Sequence, residues 1–280
     1  MQQQKLQLEG RRVLITGGSG GIGSVIASHF CANGATVCIV GSHAGRLLSA
    51  LKSLDAKHPG QVYSMLCDVG DWDSVAQLMP EAARLLGGID ILVNAAGIQA
   101  PIGEFVVNEI AAWERNIRVN LLGAVYCCKA ALPFLLEGRD ACIINFSGGG
   151  ATSSRENFSA YAVAKTGLVR FTEVLADELR DRQVRVNAIA PGAINTHMLD
   201  EVIAAGAKAG VKEMQEATVR SANGGASADL AAELVLFLAS PRSAGLTGKL
   251  ISAVWDPWKS WDRAAIEEVM SGTKYNLRRV

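Results

Sequence analysis

The sequence lacks any excess of charge of one sign. Its 280 residues include 27 basic and 27 acidic side chains, so the formal net charge is zero at pH 7. No block of five or six like charges occurs, although such blocks are typical of nucleic-acid and anionic-membrane surfaces. We therefore expect neither a nucleic-acid nor a membrane partner. The composition is compatible with small neutral or mildly polar ligands.

The sequence also lacks histidines and cysteines with the close spacing of metal-binding or redox motifs. The four histidines are scattered, and the six cysteines lie in apolar surroundings without CxxC or zinc-like spacing. This pattern predicts buried free thiols and no metal site. The cysteines are Cys31, Cys38, Cys67, Cys127, Cys128 and Cys142.

No apolar run reaches the ~20 residues that span a bilayer. The opening segment, MQQQKLQLEGRR, is polar and does not resemble a signal peptide. These features lead us to expect a cytoplasmic location.

Short apolar runs alternate with longer helical patterns, from RVLITG near the start to GKLISAV near residue 250. Helices are predicted near 21–33, 45–56, 71–86, 104–137, 158–181 and 227–240, with an irregular segment of some helical potential at 195–226. Seven strands of continuous Val/Ile/Leu character predict an α/β fold. It would be a single-domain, Rossmann-like, doubly wound parallel sheet of seven strands with helices on both faces.

No linker or internal repeat divides the chain, so we predict one dinucleotide-binding catalytic domain over 1–254 and a C-terminal tail over 255–280. The segment 195–226 follows a strand end, where open α/β sheets place ligand-covering loops, and is predicted to be a substrate lid. Trp255, Trp258 and Trp261 in the tail are expected to pack in a core or an interface.

The stretch LITGGSGGIG ends the first predicted strand and opens the first helix. Glycines there would let backbone N–H groups approach a pyrophosphate at the helix N-terminus. Two overlapping patterns fit the stretch: G-x-G-x-x-G at Gly18, Gly20 and Gly23, and T-G-x-x-x-G-x-G from Thr16 through Gly17 and Gly21 to Gly23. In this setting a dinucleotide site is favoured over an ordinary turn.

The second strand ends in VGSHAGR, without the acidic residue that usually holds the adenosine ribose. Gly41 stands in its place, and Ser42 and Arg46 follow. Loss of the carboxylate removes repulsion against a 2′-phosphate, so NADP is favoured over NAD. The alternative is that Arg46 is simply a solvated residue in the first turn of a helix.

Tyr161 and Lys165 lie one helical turn apart on the predicted helix after the fifth strand. A phenol with a pKa near ~10 is a poor acid or base at neutral pH. A nearby ammonium and the positive charge of a cofactor would lower that pKa to a useful range.

Six motifs occur in order along the chain. They are T-G-x-x-x-G-x-G at Thr16–Gly23, Asp68 after the third strand, NAAG at Asn94–Gly97, Asn120 in the long helix, Y-x-x-x-K at Tyr161 and Lys165, and PGAINT at Pro191–Thr196. With these motifs, residues 9–254 resemble the short-chain dehydrogenase/reductase family.

The resemblance implies roles for these residues. Tyr161 would exchange a proton with the substrate oxygen, Lys165 would bind the nicotinamide ribose, and Asn120 would hold a relay water. The resemblance also implies a homo-oligomer, either a dimer or a tetramer. The cofactor contacts it implies are Gly17, Ser19, Gly21, Ile22, Gly23, Ser42, Asp68, Val69, Asn94, Ala95, Gly97, Tyr161, Lys165, Pro191, Gly192, Ile194 and Thr196.

One departure concerns the catalytic serine, which in the family stands thirteen residues before the tyrosine. That position is Gly148 here, and Ser147 matches the first serine of the family's Ser-Ser pair. Ser147 is the best remaining serine candidate, although Thr152 or Ser153 could fold back instead.

These observations predict an NAD(P)-dependent oxidoreductase that transfers a hydride between nicotinamide and a secondary alcohol or ketone of a small polar substrate. Two alternatives remain. The chain could be a cofactor-binding protein with lost or weak catalysis, as Gly148 suggests, or a lyase or epimerase that uses transient hydride transfer.

Overall fold

The computed structural model describes residues 8–278, and seven parallel strands form its single sheet. The strand order is β3-β2-β1-β4-β5-β6-β7. The strands are Arg12–Thr16 (β1), Thr36–Gly41 (β2), Val62–Leu66 (β3), Ile91–Asn94 (β4), Cys142–Phe146 (β5), Arg185–Ala190 (β6) and Leu250–Ser252 (β7). The predicted seven-stranded, doubly wound parallel sheet is confirmed.

Helices connect the strands and cover both faces of the sheet. They are Gly21–Ala32 (α1), Ala44–Asp55 (α2), Trp72–Leu86 (α3), Ile110–Ile117 (α4), Gly123–Leu135 (α5), Ser159–Glu178 (α6), His197–Ala205 (α7), Val211–Asn223 (α8), Ala228–Ala239 (α9) and Arg263–Ser271 (α10). Short 3₁₀ turns lie at Phe105–Val107, Arg180–Arg182, Gly206–Ala209, Pro241–Ser243 and Trp258–Ser260. A π-helical turn at Arg118–Leu122 joins α4 to α5.

Two details differ from the sequence prediction. The long helix expected over 104–137 begins only at Ile110 and contains the π-helical turn. The segment 195–226, predicted to be irregular with some helical potential, forms α7 and α8, and its role as a substrate lid stays a prediction. Thr196 caps α7 by accepting a hydrogen bond from the Met198 amide, and Gly210, at a φ of 86°, separates the two helices. The many alanines of the segment favour helix, and its glycines only interrupt it.

The strand order places a topological switch point at β1 and β4, because β1 lies between β2 and β4. Thr16, Asn94 and Asn145 are consecutive partners across β1, β4 and β5 near their carboxyl ends. Open α/β sheets bind ligands at this edge. The turn after β1 and the loops after β4 and β5 therefore meet at one place.

All six cysteines are buried and free, as the sequence predicted. Burial raises the pKa of the Cys31 and Cys38 thiols to about 12. These thiols pack as small apolar groups and are not reactive nucleophiles.

Residues after β7 fold back onto the main core. Trp258 and Trp261 are buried, and their ring centroids lie 5.8 and 6.5 Å from that of Phe237 on α9. Lys249 anchors the following segment by donating hydrogen bonds to the Gly272 carbonyl at 3.0 Å and to other acceptors nearby. By contrast, Trp255 is 84% exposed.

Within the described residues, one helical stretch, Ile110–Leu135, is long and apolar enough to cross a bilayer. It packs against α3 and α6, and core helices of folded domains meet the same criterion. The cytoplasmic location stays a prediction.

Candidate active site

The turn between β1 and α1 is closed so tightly that only glycine fits at several positions. Gly17 has a φ of 69°, and a Cβ there would lie 2.7 Å from the Ala95 carbonyl oxygen. A Cβ at Gly23 would lie 2.3 Å from the Gly17 carbonyl oxygen, and one at Gly18 would lie 2.6 Å from Cβ of Ile39. These contacts do not separate the two glycine patterns, since Gly17 belongs to one pattern, Gly18 belongs to the other, and Gly23 is shared by both.

No side chain caps the N-terminus of α1, and its first turn contains no acidic residue. The first amides of a helix lack intrahelical partners, and together with the helix dipole they favour an anion. The turn therefore fits the pyrophosphate of a dinucleotide.

The end of β2 has no room for the usual ribose-binding carboxylate. A Cβ at Gly41 would lie 2.6 Å from Oγ and 3.2 Å from Cβ of Ser19. Ser42 and Arg46 are exposed just beyond it, and the Arg46 guanidinium has no ion-pair partner among residues 8–278. The fold leaves these two polar side chains free at the edge where the adenosine ribose of a dinucleotide would lie.

Asp68 follows β3 and is fixed by two contacts. Its carboxylate accepts a hydrogen bond from the Gly70 amide at 3.0 Å and pairs with Arg115 of α4 at 2.7 Å. Val69 beside it is buried against Gly123, where a Cβ would lie 2.8 Å from the valine side chain. Neither residue lines the cavity described below, so the cofactor contacts predicted for Asp68 and Val69 stay a prediction.

Asn94 ends β4, and the loop that follows it brings Gly97 close to Lys165 of α6. The Asn94 side-chain amide donates to Oδ1 of Asn145 at 2.9 Å, while its own Oδ1 is buried without a partner. A Cβ at Gly97 would lie 2.7 Å from Oδ1 of Asn120 and 3.6 Å from Nζ of Lys165.

Asn120 lies within the π-helical turn and is 1% exposed. Its side-chain amide donates to the Ile98 carbonyl and to Oδ1 of Asn116, each at 2.8 Å. Its Oδ1 accepts from the Ile98 amide at 3.3 Å. The side chain therefore fixes the loop after β4, and the water-holding role implied by the resemblance stays a prediction.

Tyr161 and Lys165 project from one face of α6. Tyr161 lines a cavity, and its hydroxyl makes no hydrogen bond to residues 8–278. Lys165 is buried, donates to the Phe146 carbonyl at 2.8 Å, and lies 5.6 Å from the tyrosine ring centroid.

The electrostatics of the pair differ from the sequence-based expectation. Burial lowers the pKa of Lys165 to about 8. Burial raises the pKa of Tyr161 above its usual range, and the nearby Arg155 charge offsets this only in part. The chain's own residues therefore do not supply the lowered tyrosine pKa, because desolvation of the phenol outweighs the neighbouring positive charge.

Gly148 lies directly opposite the reactive end of Tyr161. A Cβ at this position would be 2.5 Å from the tyrosine hydroxyl oxygen. Ser147 continues the β5 pairing, since its amide donates to the Ile189 carbonyl at 2.8 Å, and its buried hydroxyl has no hydrogen-bond partner within the described residues. Thr152 and Ser153 are exposed on the same loop. All four residues line the cavity.

The cavity has a volume of about 680 Å³ and lies at the carboxyl ends of β5, β6 and β7. Pro191, Gly192, Ile194 and Thr196 after β6 line it opposite Tyr161. A Cβ at Gly21 would lie 3.4 Å from Cγ2 of Thr196, so this wall continues to the start of α1. Ile22 of α1 also lines the cavity. The cavity thus extends from Tyr161 to Ile22 in the first turn of α1.

Sequence reasoning missed several residues that shape this cleft. Glu213 of α8 forms a two-point ion pair with Arg155, and Glu201 of α7 accepts from the Gln99 amide at 2.8 Å. Arg155 and its partner Glu213 lie 58 residues apart in the sequence. No local pattern signals pairs of such separation.

Comparison with known proteins places this site in a family. The family model for short chain dehydrogenases matches residues 11–207. The chain therefore belongs to the short-chain dehydrogenase/reductase family, whose members are NAD(P)-dependent oxidoreductases.

Two relatives illustrate the range of substrates among similar proteins. The 3-oxoacyl-acyl-carrier-protein reductase FabG of Thermotoga maritima is 32% identical over 247 residues, covering 88% of this chain and 97% of that protein. The 2-dehydro-3-deoxy-L-rhamnonate dehydrogenase (NAD⁺) of Sphingomonas sp. is 32% identical over 196 residues, covering 69% of this chain and 76% of that protein.

A solved structure is similar over nearly the same range. The active-site complex of RhlG with NADP from Pseudomonas aeruginosa has a TM-score of 0.78 and 27% identity, and the match covers 89% of this chain and 96% of that one. Relatives associated with NAD and with NADP thus both occur, so family membership alone leaves the cofactor preference open.

Proposed function

We propose that this chain transfers a hydride between nicotinamide and a secondary alcohol or ketone carbon of a small polar substrate. The observation that carries the proposal is Tyr161, which lines the cavity one helical turn from buried Lys165 and whose hydroxyl has no hydrogen-bond partner in the described part of the chain. A proton donor held open toward a cavity suits a substrate oxygen that gains or loses charge.

The cofactor would be held by the amides at Gly17–Gly23, Asp68 and Val69, the Asn94–Gly97 loop and the Pro191–Thr196 segment. When bound, nicotinamide supplies the hydride acceptor or donor. Tyr161 would give a proton to the substrate oxygen during reduction and take it back during oxidation. Lys165 would bind the nicotinamide ribose, while its hydrogen bond to Phe146 fixes the ammonium against β5.

Ser147 is proposed as the remaining serine donor toward the substrate oxygen. Its hydroxyl is buried without a partner at the cavity wall. A buried hydroxyl without a partner is costly, so a substrate group that restores the hydrogen bond is favoured. Because successive residues alternate faces along a strand, Ser147 needs the turn at Gly148–Gly150 to bring its hydroxyl toward the cavity.

We propose NADP as the preferred cofactor. Ser19 fills the space beside Gly41, and the exposed Ser42 and unpaired Arg46 suit a 2′-phosphate. Calorimetric titration of NADPH and NADH tests this choice, with Arg46→Ala expected to reduce the affinity for NADPH only. Tighter binding of NADH by the unmodified chain would contradict the proposal.

A homo-oligomer, either a dimer or a tetramer, is part of the proposal. Phe105, Val106 and Ile110 are 67%, 82% and 62% exposed, and contiguous apolar side chains favour burial against another chain. Sedimentation of the purified protein measures the assembly.

A second candidate, a cofactor-binding protein with weak or lost catalysis, is favoured by Gly148. The decisive experiment follows NADPH absorbance with a panel of ketones and then measures the product. Stoichiometric consumption of NADPH with alcohol formation supports the oxidoreductase. Tight NADPH binding without turnover across the panel supports the second candidate, and catalytic use without net NADPH consumption supports the lyase or epimerase alternative.

A further inference from the structure

Arg155 has an unusual position for a cation in this cavity. It lies on the loop before α6, with its guanidinium 3.7 Å above the ring of buried Phe158 and 5.7 Å from the ring centroid of Tyr161. It lines the cavity. A guanidinium in such a place is well suited to bind the carboxylate or phosphate of a substrate.

That capacity is already used within the chain. Nε and Nη2 of Arg155 donate to the two carboxylate oxygens of Glu213 at 2.7 and 2.8 Å. The side chains are only 14% and 19% exposed, so solvent screens the pair weakly. The Arg155 charge lowers the pKa of Glu213, which keeps the carboxylate ionised. An incoming anion would meet a neutralised guanidinium with a carboxylate beside it.

The remaining charges of the cavity wall do not restore a net positive potential. Lys212 and Arg220 also line the cavity, but so do Glu156 and Glu216. Three cations are therefore balanced by three carboxylates. Hydroxyl groups of the β5–α6 loop, such as Thr152 and Ser153, complete a polar but neutral wall.

We propose that Glu213 is a specificity-determining residue that, by occupying Arg155, restricts the cavity to carbonyl substrates that are uncharged near the reacting carbon. This inference deepens the proposed function. Of its two tests, the comparison of reduction rates depends on hydride transfer, whereas the measurement of ligand affinity uses the cofactor-free chain and does not.

The test compares benzoylformate with its methyl ester, which share one ketone and differ by one negative charge. In the unmodified protein the ester should be reduced with a kcat/KM at least about tenfold higher than the acid. Glu213→Gln should narrow or reverse that ratio by about tenfold to a hundredfold, the scale of a hydrogen bond to a charged group. Glu213→Ala removes the partner entirely and should act in the same direction.

Glu216→Gln is the matched control. Glu216 lies one turn along α8, lines the same cavity and makes no ion pair among the described residues, yet the substitution changes the charge equally. In Glu216→Gln the ratio of kcat/KM for the ester to kcat/KM for the acid should stay near that of the unmodified protein. If Glu216→Gln changed the ester-to-acid ratio as much as Glu213→Gln does, net charge alone would explain the selectivity. The specific role of Glu213 would then be wrong.

Calorimetric titration into the cofactor-free chain supplies the second readout. Glu213→Gln and Glu213→Ala should gain affinity for benzoylformate but not for the ester, whereas the control should gain neither. If neither Glu213 variant gains affinity for the acid, or if the unmodified protein prefers the acid, the inference is wrong. If the affinity gain occurs while no variant reduces any ketone, the hydride-transfer proposal fails and the charge selection stands.

Discussion

The two glycine clusters of this molecule, Gly17–Gly23 and Gly148–Gly150, serve different physical purposes. In the first, a missing side chain makes room for backbone, since a Cβ at Gly17 or Gly23 would lie within 2.7 Å of a main-chain oxygen. In the second, a Cβ at Gly148 would meet the Tyr161 side chain, whose hydroxyl oxygen would lie at 2.5 Å, and one at Gly149 would meet nothing within 4 Å. A Cβ at Gly150 would lie 3.0 Å from Cβ of Ala162. Gly17 and Gly23 are therefore required by backbone packing, whereas Gly148 and Gly149 leave space beside the tyrosine hydroxyl.

The difference extends to charge. The stretch Gly17–Gly23 contains no titratable side chain, so its affinity for an anion comes from amides and the helix N-terminus. Tyr161 and the Arg155–Glu213 pair line the cavity over β5, and Lys165 is buried one helical turn from the tyrosine. The properties of these groups depend on burial. Substitution and pH should therefore affect the two regions differently.

The largest expected effect is confined to the cavity. Tyr161→Phe keeps the ring packing and removes the proton donor, so turnover should fall by about 10²- to 10⁴-fold. Affinity for NADPH and the melting temperature should remain close to those of the unmodified protein. Steady-state kinetics with calorimetry measure both, and retention of most of kcat would contradict the role of Tyr161.

A pH effect comes next in size and also belongs to the cavity. The pKa of Lys165 is lowered to about 8 by burial, whereas an unfolded lysine has a pKa near ~10.4. Between these values the unfolded chain binds the proton more tightly, so this group makes the free energy of unfolding rise with pH. Below pH 8 the folded chain carries the full cost of burying the charge.

Relative to Lys165→Met, the unmodified cofactor-free protein should therefore gain stability from pH 7 toward pH 10, approaching about 3 kcal/mol. Chemical denaturation of both proteins at several pH values measures the difference. A difference that stays constant over this window would show that Lys165 keeps an ordinary pKa in the folded chain.

The glycine clusters themselves give a smaller, matched comparison. Gly23→Ala places a methyl group 2.3 Å from the Gly17 carbonyl oxygen and should destabilise the fold by about 1–3 kcal/mol or more. NADPH affinity should fall with it. Gly149→Ala faces open space and should stay within about 0.5 kcal/mol of the unmodified protein. If chemical denaturation showed the same loss in free energy of unfolding for Gly23→Ala and Gly149→Ala, the distinction between the two clusters would be wrong.

The smallest expected effect concerns the position where the family carries its serine. Gly148→Ser introduces a Cβ 2.5 Å from the hydroxyl of buried Tyr161, so the phenol must move. We expect kcat to fall by about tenfold, since proton transfer requires accurate placement of the donor. Gly149→Ser is the control and should leave kcat unchanged. A higher kcat in Gly148→Ser would show that the site accepts the missing hydroxyl without rearrangement.

Local patterns predicted the elements of the fold well where periodicity was strong. Continuous apolar runs predicted the seven strands, and the alternation with helices predicted the parallel sheet, which is confirmed. The π-helical turn around Asn120 was missed, and the bounds of α7 and α8 were not predicted. Asn120 in the turn donates a hydrogen bond to Ile98, and α7 and α8 pack against each other and against Phe158 and Tyr161.

By itself, the sequence determined the parallel sheet, the glycine turn and the spacing of Tyr161 and Lys165, because these depend on backbone sterics and on neighbours within one helical turn. Only the tertiary structure decided that Ser19 fills the space at Gly41, that position 148 faces the tyrosine hydroxyl, and that Glu213 neutralises Arg155. Those contacts join residues distant along the chain. Burial sets their strength, and packing alone fixes which side chains meet.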